Sequence, residues 1–228
     1  MRTLLRKRIL LPLLAVLAFT GCITIEENYT FKKDGSGTME YVVDMSEIGD
    51  MMKAFEEMDK SGDVKDAADM GTMDMKAKVA ELNKVPGINK VKVNDKQKYV
   101  QRLKFAFADV NALNAALNQL MPDSTGTQHT FFTWEGNTLV RTNNQHAREL
   151  GSGMGTEKDP SDTTDMTEML ATMKYKYSFV FADAIGNTGV AEGMVKESPD
   201  ARTVKLNTDW SVIAKDPKAL DLRIELNK

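Results

Sequence analysis

One cysteine, two histidines and fifteen methionines are the soft or nucleophilic side chains from which this 228-residue chain would have to build catalytic or metal chemistry. His129 opens an extended run, His146 sits in a polar segment, and neither has a companion at motif spacing. No Gly-x-Ser-x-Gly elbow, glycine-rich phosphate loop or His-Glu-x-x-His helix occurs, so no nucleophile-plus-base pair can be assembled and the chain reads as a non-enzyme. The methionines offer more. Met70, Met73 and Met75 form a Met-x-x-Met-x-Met cluster of thioethers, the soft ligand type that selects Cu(I), but no His or Cys stands beside it. Met51, Met52 and Met58 share a helical stripe with Ile48 and Phe55, which is the spacing of core methionines. Packing is therefore the main reading, Cu(I) the lesser one, and no cofactor is expected. Calcium ranks no higher, because Glu157, Asp159, Asp162 and Asp165 lack the ligand order of an EF-hand loop. A methionine-rich helix over an aromatic sheet face also suits a carrier of an apolar ligand such as a lipid, since thioether side chains repack cheaply around a guest.

The single thiol, Cys22, is explained by what precedes it. Arg2, Arg6, Lys7 and Arg8 make a basic start, Ile9 to Phe19 an apolar run broken only by Pro12, and Thr20-Gly21 a small-residue exit. That is the pattern of an export signal. The run would rise only about 16 Å as a helix, too short for a bilayer core of roughly 30 Å. Phe19-Thr20-Gly21-Cys22 resembles the lipobox of bacterial lipoproteins, with Phe19 where the consensus has Leu. The resemblance implies a signal peptide over 1–21, cleavage between Gly21 and Cys22, a diacylglycerol thioether on the Cys22 sulfur and a further acyl chain, such as palmitate, on the new amino terminus. Each buried methylene contributes roughly 0.8 kcal/mol, so two or three such chains hold a protein on a membrane lastingly. Ile23 rather than Asp at the second mature position implies, by enteric-type sorting, the outer membrane, with the domain facing the periplasm or cell surface.

Removing residues 1–21 takes away four basic and no acidic residues, leaving 26 basic against 33 acidic, a net charge near −7. Nucleic acid is excluded as a partner, because a phosphate backbone asks for clustered Lys and Arg and the longest basic runs here are pairs such as Lys32-Lys33. Anionic head groups should repel such a body as a whole. The partners expected are the membrane, through Cys22, and an envelope protein or apolar ligand.

The elements that must carry these residues follow from periodicity. Ile23, Ile25, Tyr29 and Phe31 alternate, as do Met39, Tyr41 and Val43, with Asp34-Gly35-Ser36-Gly37 between them as a hairpin turn. Ordered structure should thus begin almost at Cys22. A helical stripe follows Ser46 to Met58 and another spans about Thr72 to Lys84, stopped by Pro86-Gly87. Val91 and Val93 and then Tyr99 to Phe107 predict strands around a turn at Asn94-Asp95-Lys96. Asp109 should cap a helix to Met121, and Phe131–Trp134 and Thr138–Arg141 should pair around Glu135-Gly136-Asn137. Residues 143–163 are polar, glycine-rich and acidic, the composition of a mobile loop. A short helix around Met166 to Met173, a strand from Tyr175 to Phe181, strands at Val190, Val195 and Val204-Leu206, and the alternating Leu220, Leu222, Ile224 and Leu226 complete the chain. Phe105–Asp109 and Phe179–Asp183 echo each other, which strand-then-Asp punctuation explains without a duplication.

The alternation of hairpins with helices predicts a single α+β domain over 22–228, a mainly antiparallel sheet built from hairpins with amphipathic helices packed on one face. The opening, Tyr29-x-Phe31 and Asp34-Gly35-Ser36-Gly37, and the strand-helix-strand from Val204 to Leu226 are similar to bacterial lipoproteins of the LppM type. That likeness implies an α+β sheet-and-helix fold and no particular activity. The sequence as a whole thus leads to a non-enzymatic binding or scaffolding lipoprotein of the cell envelope.

Overall fold

Alternation along β1 (Thr24–Phe31) and β2 (Gly37–Asp44) builds the first hairpin, with Thr24 facing Asp44 and Phe31 facing Gly37. The computed structural model describes residues 23–47, 49, 75–144, 146–147 and 166–227. Its turn is held as the residue types require: Asp34 Oδ1 accepts from Ser36 N and Oγ, and Gly35 takes a φ of 82°. The strands β3 (Ile88–Gln97), β4 (Val100–Phe107), β7 (Lys174–Phe181), β9 (Val195–Asp200) and β10 (Thr203–Asp209) join them in a seven-stranded sheet of order β3-β4-β2-β1-β7-β10-β9. A four-stranded sheet of order β5-β6-β11-β8 is made of β5 (Phe132–Glu135), β6 (Thr138–Arg141), β8 (Ala184–Val190) and β11 (Leu222–Asn227). The fold is α+β and mainly antiparallel. β1 and β7 form the parallel pair, Thr24 beside Lys174 and Phe31 beside Phe181.

Among the described residues four full helices accompany the sheets: α1 (Met75–Leu82), α2 (Val110–Leu120), α3 (Met166–Thr172) and α4 (Trp210–Lys215). None is long and apolar enough to cross a membrane. α2 begins where Asp109 Oδ1 accepts from Ala112 N at 2.8 Å, so the expected cap is the cap used. α1 and α2 lie against β3 and β4, while α3 and α4 pair beside β10. The inward rows of the large sheet, Tyr29, Phe31, Met39, Tyr41, Leu103, Phe105, Tyr175, Tyr177, Phe179 and Phe181, are buried against Leu113 and Leu117 of α2 and Phe132, Leu139 and Ile224 of the small sheet. Tyr29 packs edge-on to Phe132 at 5.0 Å and stacks on Phe179 at 5.1 Å, joining the two sheets through aromatic contact.

Several expectations are corrected. The β3–β4 turn lies at Lys98–Tyr99 and not at Asn94-Asp95-Lys96: β3 continues to Gln97 with irregular register, and Tyr99 takes a left-handed φ of 63°. No glycine is available there, and Tyr99 is held instead by its carbonyl, which accepts from Met45 N, and by its ring, which lies over Gly49. The segment expected to be mobile from residue 143 begins in the core, where Asn144, His146 and Ala147 are buried. Leu220 is buried in the turn before β11 and not in the strand. The strand-helix-strand from Val204 exists, but β10 and β11 belong to different sheets. The two echoing segments diverge: Asp109 caps α2, whereas Asp183 sits in the turn to β8 and pairs with Lys33 at 3.1 Å. The helix expected over Ser46 to Met58 begins among the described residues at Ser46, Glu47 and Gly49, and the rest of it, the signal segment 1–21 and all of 148–165 lie outside them.

Candidate functional site

The inward row of β1 contains one residue that does not belong in an apolar series, Glu27, between Ile25 and Tyr29. It is fully buried, and across the gap between the sheets it meets Arg141 of β6, equally buried. Arg141 Nη1 lies 2.8 Å from Glu27 Oε2, and Nη2 donates to Oε1 at 3.1 Å, a two-pronged ion pair. Three phenols close around it, Tyr29 from β1 itself and Tyr175 and Tyr177 from the neighbouring β7. Tyr29 Oη donates to Glu27 Oε2 and Tyr175 Oη to Oε1, while Arg141 Nη1 donates to Tyr29 Oη at 2.8 Å. Arg141 Nε donates to Asn144 Oδ1 at 2.8 Å, and Asn144 Nδ2 donates to Asp221 Oδ1 at 3.0 Å. His146 Nε2 stands 3.1 Å from Tyr175 Oη and 3.9 Å from Glu27 Oε1. The guanidinium also lies over the rings of Tyr177 and Phe132, at 4.7 and 4.8 Å.

The electrostatics follow from this enclosure. Burial pushes the Glu27 carboxyl up, but the Arg141 charge, the neighbouring His146 ring and the hydrogen bond from Tyr175 outweigh it and bring the pKa down from an ordinary 4.5 to about 2. Burial drives the Tyr29, Tyr175 and Tyr177 phenols well above 10, aided by the Glu27 charge, so all three remain protonated donors. Glu27 is therefore an anion whose oxygens are occupied by Arg141, Tyr29 and Tyr175. In this arrangement it ties the two sheets to each other.

Both histidines, read from the sequence as isolated, have companions. His146 joins the buried cluster, and His129 Nε2 lies 2.8 Å from Asp123 Oδ2. Hydrogen bonds from Thr125 and His129 hold the Asp123 carboxyl far below its ordinary range. Sequence reading missed the Glu27–Arg141 pair as well. The signal for it was present: an acid at an odd position in the apolar series from Ile23 to Phe31 has to be neutralised where it points.

Two surface clefts lie at the end of the sheet where the β1–β2 turn lies. One, of about 210 Å³, is lined among others by Lys32, Lys33, Trp134 and Asp183. A second, of about 460 Å³, is lined by Asp109, Asn111, Thr130 and Thr133 and shares Asp34, Gly35 and Trp134 with the first. A third, of about 400 Å³, lies on the outer face of the large sheet between Glu26, Asn28, Lys176 and Lys205. Of the candidate Cu(I) ligands, Met75 is packed in the core at 3% exposure, which removes its sulfur from a solvent-facing site, and Met70 and Met73 lie outside the described residues. Among the described residues no group of three or more His, Cys, Asp or Glu is placed to hold a metal ion. Gly21 and Cys22 also lie outside them, but their neighbour does not: Ile23 is buried, and its carbonyl accepts from Lys174 N at 2.8 Å.

No protein-family model matches the chain. No curated protein matches it either. Among solved structures it is similar to the NMR structure of the folded domain of the Mycobacterium tuberculosis LppM protein, at 12% identity and a TM-score of 0.43, over 93% of this chain and 95% of that one.

Proposed function

We propose that the chain is an exported lipoprotein, anchored through Cys22, whose folded domain works by non-enzymatic binding or scaffolding in the cell envelope. The observation that carries this reading is the hydrogen bond from Lys174 N to Ile23 O: the residue after Cys22 is already sewn into the large sheet. A diacylglycerol on the Cys22 sulfur would leave no flexible tether between lipid and fold. One end of the sheet would then be held at the head groups. The clefts beside Trp134 and Asp34 would stand at the other, eight residues of β1 away, about 26 Å at 3.3 Å per residue. That end is the surface offered to an envelope partner.

Intact-protein mass spectrometry of membrane-extracted material tests the anchor. The expected product begins at Cys22 and carries acyl mass, while a Cys22→Ser variant appears in the soluble fraction. A mature terminus elsewhere, or an unacylated Cys22, overturns the reading. Native mass spectrometry of the Cys22→Ser protein addresses the role, because a stoichiometric co-purified lipid or a Cu(I) adduct would replace scaffolding by carriage.

A further inference from the structure

Cross-strand register places six residues in one row at the edge of the large sheet: Gln97 opposite Val100, Val100 opposite Asp44, Asp44 opposite Thr24, Thr24 beside Lys174, and Lys174 opposite Asp209. Ile23, the residue after Cys22, and the β3–β4 turn at Lys98–Tyr99 both lie beyond this row, as do the segments that leave it at Met45, Met173 and Trp210. Three strand spacings separate β1 from β3, so the turn stands about 14 Å to the side of the anchor at about 4.8 Å per spacing. We infer that this turn is a second membrane contact, one that takes the anionic head groups of the lipid surface to which Cys22 is tied; the inference rests on the anchored reading above.

The chemistry of the turn matches such a surface. Lys92, Lys96 and Lys98 are exposed, and Arg102 is half-buried opposite Asn94. Asp95, the carboxylate on this stretch of β3, is engaged by Lys76 at 3.2 Å, and Asp44 in the row accepts from Ser46 N and Oγ. Lys98 Nζ lies 4.6 Å from the centre of the Tyr99 ring, which itself packs on Gly49, so a cation is held at the tip.

Among the described residues, Asp34, Asp183 and Asp200 lie at the far end of β1, β7 and β9, about 26 Å from the row, roughly three screening lengths at physiological salt. Of the carboxylates in the row, Asp209 lies 4.0 Å from Lys174 and Asp44 accepts from Ser46, with Glu47 just beyond it. The head groups at the anchored edge are screened from the carboxylates at the far end and sense the lysines of the turn. The anchor supplies a high local concentration of surface, so even a weak ionic contact is populated once the lipid is inserted.

The test uses the lipidated full-length mature protein in vesicles. Its one cysteine is consumed by lipid, so a thiol introduced by Gln97→Cys, or separately by Lys32→Cys at the far turn, is a unique attachment point for a fluorophore. Head-group spin-labelled lipid is the quencher, in phosphatidylcholine vesicles with or without about 30% phosphatidylglycerol, the anionic component that attracts Lys and Arg. On anionic vesicles the label at 97 should be quenched at least about threefold more than that at 32, falling to the level of 32 in about 0.5 M salt and in a Lys96→Glu/Lys98→Glu background. Equal quenching at the two sites while the protein still floats with vesicles overturns the turn contact alone. Quenching that survives both salt and charge reversal overturns its ionic basis. Protein that fails to float removes the anchored reading and the inference with it.

Discussion

At the scale of single residues, the Glu27–Arg141 pair is where the molecule is most exposed to damage. A buried ion pair need not be more stabilising than apolar side chains of the same size, but removing one partner strands the other charge, at a cost of about 3–5 kcal/mol. Glu27→Gln should therefore cost about that much in urea unfolding. A Glu27→Gln/Arg141→Met double variant should be markedly more stable than the sum of the two single changes predicts. The same pair sets an acid limit. The Glu27 pKa is lowered on folding, from 4.5 to about 2, so its stabilisation is complete above pH 4.5 and is lost as pH falls toward 2. A fall on the order of 3 kcal/mol across that window should be present in the wild type and missing in Glu27→Gln. Asp34 and Asp200 are also held low by hydrogen bonds, so the comparison between the two proteins, and not the wild-type curve alone, isolates Glu27. Identical acid limbs would refute the assignment.

At the scale of elements, α2 is joined to the segment entering β5 by side chains that imitate a β-ladder. Asn114 Oδ1 accepts from Phe131 N and Phe132 N, and its Nδ2 donates to Phe132 O. One turn later Asn118 makes the same exchange with His129 N and O. Asn114→Leu would leave three buried backbone groups without partners, and a loss of about 2–4 kcal/mol in chemical unfolding is expected, against under 1 kcal/mol for exposed Asn111→Leu. The first hairpin offers a parallel comparison between its two turn glycines. Gly35 has a left-handed φ and open space around it, so Gly35→Ala should cost about 1 kcal/mol. Gly37 has neither property, but a Cβ there would fall 2.0 Å from Thr30 O and 2.5 Å from the Phe107 ring. Gly37→Ala should cost more than Gly35→Ala, about 2–3 kcal/mol, because backbone must move to admit it. Equal urea midpoints for the two variants would contradict this.

At the scale of the whole molecule, both sheets combine strands from before and after the 148–165 segment. The two sets meet where β1 pairs with β7 in the large sheet and where β6 pairs with β11 in the small one. A protease cut between 148 and 165 should consequently leave two fragments that stay together through gel filtration in native buffer. They should melt in one calorimetric transition, since neither fragment holds a complete sheet. Separation of the fragments, each with its own cooperative transition, would show two independent units.

Much of this was legible in the chain itself. Period-two alternation set the inward faces of β1, β2 and β7, Asp34-Gly35-Ser36-Gly37 set a turn, Asp109 set a helix start, and the residues around Cys22 set an export reading, each because the determining atoms lie within a few residues of one another. Asn114 and Asn118, four apart beside the apolar stripe of α2, and Glu27, on the apolar row of β1, were visible as polar residues on buried faces, but their partners were not. Which strand lies beside β1, and which cation answers Glu27, depends on residues more than a hundred positions away: Tyr175 and Arg141 reach Glu27 from sequence separations of 148 and 114. Local periodicity states that a residue faces inward and nothing about what it will meet there, so the parallel β1–β7 pairing, the second sheet and the buried ionic cluster were decided only when packing brought distant segments to the same dry interior.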